Sequence, residues 1–469
     1  MQKSVLVEIV RSLSRKEIRE VQKWLQSPAH NQRQDVMQLF DHLIKNAGQS
    51  DNSMTKEETW SEIFPNQAYD DAYMRQVMYF LLKSLENYLV FNEMGKDSVH
   101  IQSMLLKVYR SRQLDRAFRL TMETAKKQQK KSPYRNNSFL QEQHLLEQEQ
   151  YYYLVGQKWS VGLNLQETAN ALDLAYMANK LRISCRMLAH QAYKKTSYDM
   201  GTLLPIISYI ETTGLLGEPA IAVYYYSFKA LIEPENESYF LELERILFEK
   251  EQLFPIEEMR EFYLLAINYC ISRINAGIDS YLHKAFKLYK LGFEKEILLE
   301  NGTISKISFG NAVSNALKIR EFSWAEGFVQ RFKDKLEEKN RESMTNFNMA
   351  RIYFERGEYG KAQQLLAKFE YDDIILNLIA KTMLLKIYYE ASEYDIFESL
   401  LESMRTYLQR KDAISSNHRI VYKNLLGVMR RLIHLNPYSK AQVEKFRELV
   451  MATNPLIERE WLLRQISNK

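Results

Sequence analysis

This sequence predicts an all-α chain built from repeated helical hairpins, on three observations. Trp324, Tyr359 and Tyr394 stand at a constant interval of 35 residues, and Phe322-Ser323-Trp324, Gly357-Glu358-Tyr359 and Ser392-Glu393-Tyr394 each separate two apolar-periodic segments. A fixed period of this size marks stacked helical units that cannot bury their apolar faces alone. Gly and Pro number only 15 and 9 in 469 residues, about half of average usage. The third observation is that 46% of residues are hydrophobic, with no sustained alternation of the kind a strand would show. The expected architecture is an N-terminal helical module over residues 1–95 and a helical-repeat superhelix (an α-α solenoid) over 98–435, with its clearest units at about 312–410. Capping helices over 437–469 complete it.

The elements follow in order. Ser14-Arg15-Lys16-Glu17 is a capping box, since the Ser hydroxyl and the Glu carboxylate can each satisfy an orphan N–H. Ile18, Val21, Trp24 and Leu25 then share a face, and Ser27-Pro28 stops the helix. Val36, Leu39, Phe40, Leu43 and Ile44 make a second helix before Gly48. Thr55-Lys56-Glu57-Glu58 opens a short third one that stops near Pro65, and Asp70 or Asp71 caps a long fourth. Leu105, Leu106, Tyr109, Leu114 and Phe118 then predict a helix–turn–helix in which Tyr109 and Phe118 repeat the spacing of Tyr353 and Ala362. Helices are expected over 139–155, 165–181, 183–194, 203–211, 220–231, 238–252 and 256–274. Hairpin segments follow at 281–291, 307–319, 324–336, 345–355, 359–369, 374–389 and 394–409. Helices at 420–435 and 439–451, the latter with a Ser439…Gln442 capping box, lead to a terminal segment at 455–466.

The stretch from Ala350 through Tyr353 and Gly357 to Tyr359 and Ala362 resembles a tetratricopeptide repeat. In that family a small residue on the first helix packs against an aromatic, a Gly sits in the turn, and an Ala on the second helix permits close approach. Leu385, Tyr388, Ser392, Tyr394 and Phe397 hold matching offsets in the next unit, and Ala316, Lys318, Trp324 and Gly327 form a poorer preceding one. The segment lacks the family's early Trp and its unit-ending Pro. The chain as a whole also resembles an uncharacterised all-helical bacterial family. The likeness is carried by Leu13-Ser14-Arg15-Lys16-Glu17, Ser27-Pro28…Asn31, Lys180-Leu181-Arg182 and Asn268-Tyr269-Cys270, and it implies no activity. The repeat resemblance implies a protein- or peptide-binding face on the first helices, placing Asn346, Met349, Arg351, Lys381 and Lys386 on it.

No catalytic constellation rises from the residues, so a non-catalytic interaction protein is expected, with no cofactor. The eight histidines share no i, i+3 or i, i+4 spacing, and no cysteine cluster accompanies them, so no metal pattern is expected. Gly360-Lys361 lacks the spacing and the following Ser or Thr of a phosphate loop. Cys185 and Cys270 are expected as buried thiols, which fits a reducing, cytoplasmic location. No signal peptide and no membrane span are expected, because Lys3, Glu8 and Arg11 interrupt the N-terminal stretch and Glu211 and Glu218 the most apolar one.

The net charge of +5 is mild for this length. The densest basic cluster, Lys126, Lys127, Lys130, Lys131 and Arg135, is read first as a solvated helix end, where cations suit the macrodipole. Its alternative use is nucleic-acid binding, together with Arg419, Lys423, Arg430 and Arg431 on a C-terminal helix. The helices at Thr55 and Asp70 faintly resemble a helix-turn-helix reader, although the long helix carries only Arg75 and Lys83 as basic groups. Consecutive tyrosines at 151–153, 224–226 and 388–389 lie about 100° apart on a helix, so some are expected to reach a surface.

Overall fold

The computed structural model describes residues 4–46, 55–95, 98–157, 162–194, 196–367, 374–410 and 414–467. Among the described residues the chain forms 23 α-helices and no strand. It divides into two compact units, residues 1–180 with 218–220, and residues 181–217 with 221–469.

The first unit opens with α1 (Val5–Ser12), α2 (Arg15–Gln26), α3 (Gln34–Lys45), α4 (Lys56–Ile63) and α5 (Asp71–Met94). Both capping boxes form. Ser14 and Thr55 accept from the amides of Glu17 and Glu58, whose carboxylates take the cap N–H groups at 2.8 and 3.0 Å. Asp70, not Asp71, caps α5 by accepting from the amides of Ala72 and Tyr73. Asn31 explains the Ser27-Pro28…Asn31 pattern: its amide donates to the Leu25 and Arg33 carbonyls and accepts from the Arg33 N–H, clasping the turn before α3. Val21, Val36, Leu39, Leu81 and Leu85 centre a core confined to these five helices. Next come α6 (Ser98–Ser111), α7 (Asp115–Lys131) and α8 (Asn137–Val155), packed around Leu106, Phe118, Ala125 and Leu146. The unit boundary falls inside α9 (Leu165–Lys194).

The second unit continues through α10 (Leu203–Thr213), α11 (Pro219–Ile232), α12 (Glu237–Glu249), α13 (Ile256–Asn275) and α14 (Ser280–Glu294). It proceeds to α15 (Lys306–Lys318), α16 (Phe322–Phe332), α17 (Glu338–Glu355), α18 (Tyr359–Ala367), α19 (Ile374–Glu390) and α20 (Tyr394–Arg410). Its last helices are α21 (Ser416–Ile433), α22 (Lys440–Ala452) and α23 (Arg459–Ser467). Consecutive helices pack in pairs, a solenoid-like arrangement.

Five of these pairs close with one turn. Gln113, Gly277, Arg320, Gly357 and Ser392 adopt positive φ of 56°, 85°, 63°, 78° and 61°. The next amide then bonds five residues back: Leu114 to Tyr109, Ile278 to Arg273, Glu321 to Ala316, Glu358 to Tyr353 and Glu393 to Tyr388. This is a Schellman closure, in which a left-handed residue lets the chain satisfy carbonyls that the helix end would orphan. Eight residues before each closing amide stand Leu106, Cys270, Val313, Ala350 and Leu385, all fully buried. Cys270 therefore fills a small seat between paired helices. Burial pushes its thiol up to about 12, as expected for an inert core cysteine.

The shared turn corrects the repeat register. Phe322, Tyr359 and Tyr394 open α16, α18 and α20, so Phe322 rather than Trp324 is the counterpart of Tyr359. The spacing is 37 residues and then 35, and Trp324 sits two positions into its helix, against Phe286 and Phe328. Periodicity alone could not detect this, because two nearby aromatics competed for the same place. The expected Ser439…Gln442 box is also replaced. Ser439 makes no cap bond, and Gln442 reaches back to the Asn436 N–H at 3.1 Å. Gly48 and residues 368–369, which the sequence reading assigned to helix ends, lie outside the described residues.

Candidate functional site

Within the second unit, a cleft follows the first helices of successive hairpins. Its larger compartment, 570 Å³, is lined by Leu188, Leu231, Leu265 and Ile271, with Asn268, Ser272 and Asn275 at its polar side. A smaller one of 140 Å³ shares Ile271 and Asn275 and is bounded by Asn311, Ser314, Asn315 and Lys318 of α15. The hairpin register explains the lining. Asn268, Asn311 and Asn348 each lie ten residues before their closing amide, and Ile271, Ser314, Arg351 and Lys386 lie seven before. The same helix position thus recurs in each unit, with exposed amides at Asn268 and Asn311 and a buried one at Asn348, which donates to the Met344 carbonyl.

Arg351 ends this ladder. Its Nη2 donates to Ser314 Oγ at 2.9 Å, and Nη1 lies 3.5 Å from Asn348 Oδ1. Among the described residues no carboxylate forms an ion pair with it. Burial holds its guanidinium below the usual arginine value, against a weaker pull from the Glu355 charge one turn on. Two further groups are underused. Lys318 is exposed without an ion-pair partner among the described residues, and the buried Asn315 Oδ1 accepts no hydrogen bond. No acidic residue occurs on α15. Tyr289, at the floor, is raised by burial, which a hydrogen bond from Asn311 opposes.

Of the five residues expected on a binding face, only Arg351 reaches the cleft through Ser314. Met349 is buried and contacts Gln330 Nε2 at 4.0 Å. It stands two residues, about 200° of helix, from Arg351. Asn346, partly exposed, holds the same place in its hairpin as Lys381 does in the next, twelve residues before the closing amide. Lys381 lies over the Tyr407 ring at 4.8 Å. Lys386, in the place of Arg351, is buried, pairs with Glu458 at 2.8 Å and lies over the rings of Phe354 and Trp461. A chain segment 72 residues onward thus covers it. Sequence reasoning did not place Asn275, Ser314, Asn315 or Lys318 at a site; Lys318 entered only as part of the poorer repeat unit. The signal available was the recurring Asn at 268, 311 and 348, legible only once the hairpin register is known.

The basic cluster of α7 is arranged differently. Lys126 turns inward to Glu147 at 2.8 Å and Gln150 at 2.6 Å, and Lys127 pairs with Glu123. Arg135 folds back on the carbonyls of Lys130, Ser132 and Tyr134 and over the Phe139 ring, tying down the end of α7. Lys130 and Lys131 remain exposed without an ion-pair partner among the described residues. On α21, Lys423 and Arg430 border a cleft of 380 Å³ with Arg405, and Glu402 lies 3.4–3.6 Å from both arginines. Arg419 and Arg431 share that helix. On α5, Arg75 and Lys83 are paired with Asp71 and Glu86.

The tyrosine runs divide. Tyr152 is exposed, as expected, but Tyr224 and Tyr225 are both buried because α11 is enclosed on nearly every side. Tyr225 satisfies its hydroxyl on Glu211 at 2.7 Å. Among the described residues no group of three His, Cys, Asp or Glu side chains could hold a metal ion, and no helix is long and apolar enough to cross a membrane. Comparisons with protein-family models, with curated proteins and with solved structures return no match.

Proposed function

We propose that the chain is a non-catalytic interaction protein whose second unit receives a protein or peptide segment in the cleft along α9, α11, α13 and α15. The observation that carries this reading is a partly apolar compartment of 570 Å³ with the amides of Asn268 and Asn275 at its polar side. Apolar volume supplies affinity, and spaced amides can pair with the polar backbone of an extended guest. The tetratricopeptide-like segment at 350–362 is consistent with this use of first helices, and its small residues Ala350 and Ala362 are fully buried where the paired helices meet.

The test is selection of a displayed random dodecamer library on the full chain, with the recovered peptides measured against Ser272→Trp. Ser272 is exposed at the cleft, so the indole fills the compartment without entering the core. The reading expects at least a tenfold loss of affinity. Equal binding to both proteins would sink it.

A further inference from the structure

We infer that the guest of this cleft is an acidic peptide segment, an aliphatic stretch followed by carboxylate groups that dock between Arg351 and Lys318. This deepens the proposed function and rests on it. Three observations point the same way. The Arg351 guanidinium has five N–H donors, yet its hydrogen bonds go to Ser314 Oγ and, at long range, Asn348 Oδ1, with the Phe347 ring 5.7 Å away. A largely enclosed arginine is ordinarily matched by a carboxylate, because the uncompensated charge is costly in a poorly hydrated setting. Elsewhere the chain supplies that match, as in the bidentate pairs Arg33–Asp35 and Arg273–Glu235. Arg351 is the exception beside an open cleft.

The second observation is charge complementarity. Lys318 stands at the rim, three residues before its closing amide, and α15 carries no acidic residue. The nearest negative charge acting on Arg351 is Glu355, which attracts it without forming an ion pair. The third is the order of chemistry along the cleft: aliphatic at Leu188, Leu231 and Leu265, amide at Asn275, Asn311 and Asn315, and cationic at Lys318, with Arg351 behind it bonded to the lining Ser314. A nucleic acid would instead need exposed aromatic faces for stacking, and the lining tyrosine, Tyr289, is only 3% exposed.

The probes are two fluorescein-labelled heptapeptide pools with four aliphatic positions. One ends in Asp-Glu-Asp with a free carboxyl terminus, and the other in Asn-Gln-Asn-amide. A labelled poly(U) 20-mer is the third. Anisotropy is read on the full chain and on Arg351→Gln, Lys318→Gln and Ser272→Trp. Charge-assisted pairing predicts that the acidic pool binds the unmodified chain about tenfold more tightly than the neutral one. This preference falls below about twofold in Arg351→Gln and about threefold in Lys318→Gln. Lys318 is exposed, so its variant keeps the test valid if Arg351→Gln does not fold. Equal binding of both pools, lost in Ser272→Trp, overturns the acidic guest and leaves the cleft standing. Binding of either pool that Ser272→Trp does not weaken, or no binding at all, overturns both. Tighter, Arg351-dependent binding of poly(U) assigns the cleft to nucleic acid and also overturns the inference.

Discussion

The hairpins α6–α7 and α17–α18 are closed by the same turn and use their positive charge in opposite ways. Leu114 N bonds Tyr109 O at 2.9 Å, and Glu358 N bonds Tyr353 O at 2.8 Å. Yet the conspicuous cations of the first hairpin are mostly engaged internally, in Lys126–Glu147, Lys127–Glu123 and the Arg135 contacts to helix-end carbonyls. The second hairpin holds one cation of note, Arg351, and leaves it without a carboxylate among the described residues. Density of charge along a chain is therefore a poor guide to available charge. What decides is whether a carboxylate lies within reach, on the same helix as for Lys127 or on a facing one as for Lys126.

The largest expected difference concerns stability. Arg351→Met should stabilise the second unit by about 1 kcal/mol, because an apolar side chain of similar volume replaces a half-buried charge without a carboxylate partner. Arg135→Met should destabilise the first unit by about 2 kcal/mol through the loss of its hydrogen bonds to carbonyls. Urea denaturation of both variants checks the pair. A loss of stability in Arg351→Met would show that the arginine is already fully compensated.

A smaller contrast lies in the turns. Gly357 tolerates its φ of 78° at no steric cost, whereas Gln113 holds 56° with a side chain. Gly357→Gln should cost about 1 kcal/mol, and Gln113→Gly should gain about 0.5 kcal/mol, measured by the same urea denaturation. If both changes are neutral, the turn is less strained than its φ implies.

Acid titration probes the paired style of the first unit. Burial raises the Asp35 carboxyl, but hydrogen bonds from Arg33 and Tyr73 outweigh it and leave the group below its ordinary value. A depressed carboxylate stabilises the fold above its unfolded pKa of about 3.9 and loses that contribution as pH falls through the folded value. Thermal melts of the full chain should show the first unit weakening below about pH 4, with a shallower slope in Asp35→Asn. Identical slopes would remove Asp35 from the account. The smallest effect belongs to Lys130 and Lys131, whose joint change to Gln should shift stability by less than about 0.5 kcal/mol.

Much of the helical framework was legible without coordinates. The boxes at Ser14 and Thr55, the cap at Asp70 or Asp71, and the matched positions of Tyr109 and Tyr353 all depend on residues a few places apart. Such local rules act before any tertiary contact forms. The site was less legible. Arg351 was picked out with four companions, of which Lys386 holds the same place in the next hairpin but is covered by Glu458 and Trp461, and the α15 residues opposite it were missed.

Residue order by itself determined the all-α class, the helix starts and the hairpin habit, because capping and the 3.6-residue period are properties of short segments. The tertiary structure alone decided that Phe322 rather than Trp324 is in register with Tyr359. It also covered Lys386 with Glu458 and Trp461 and left Arg351 facing Ser314. Those outcomes depend on partners 37 to 75 residues apart in the chain, and only the packing of whole helices brings such groups together.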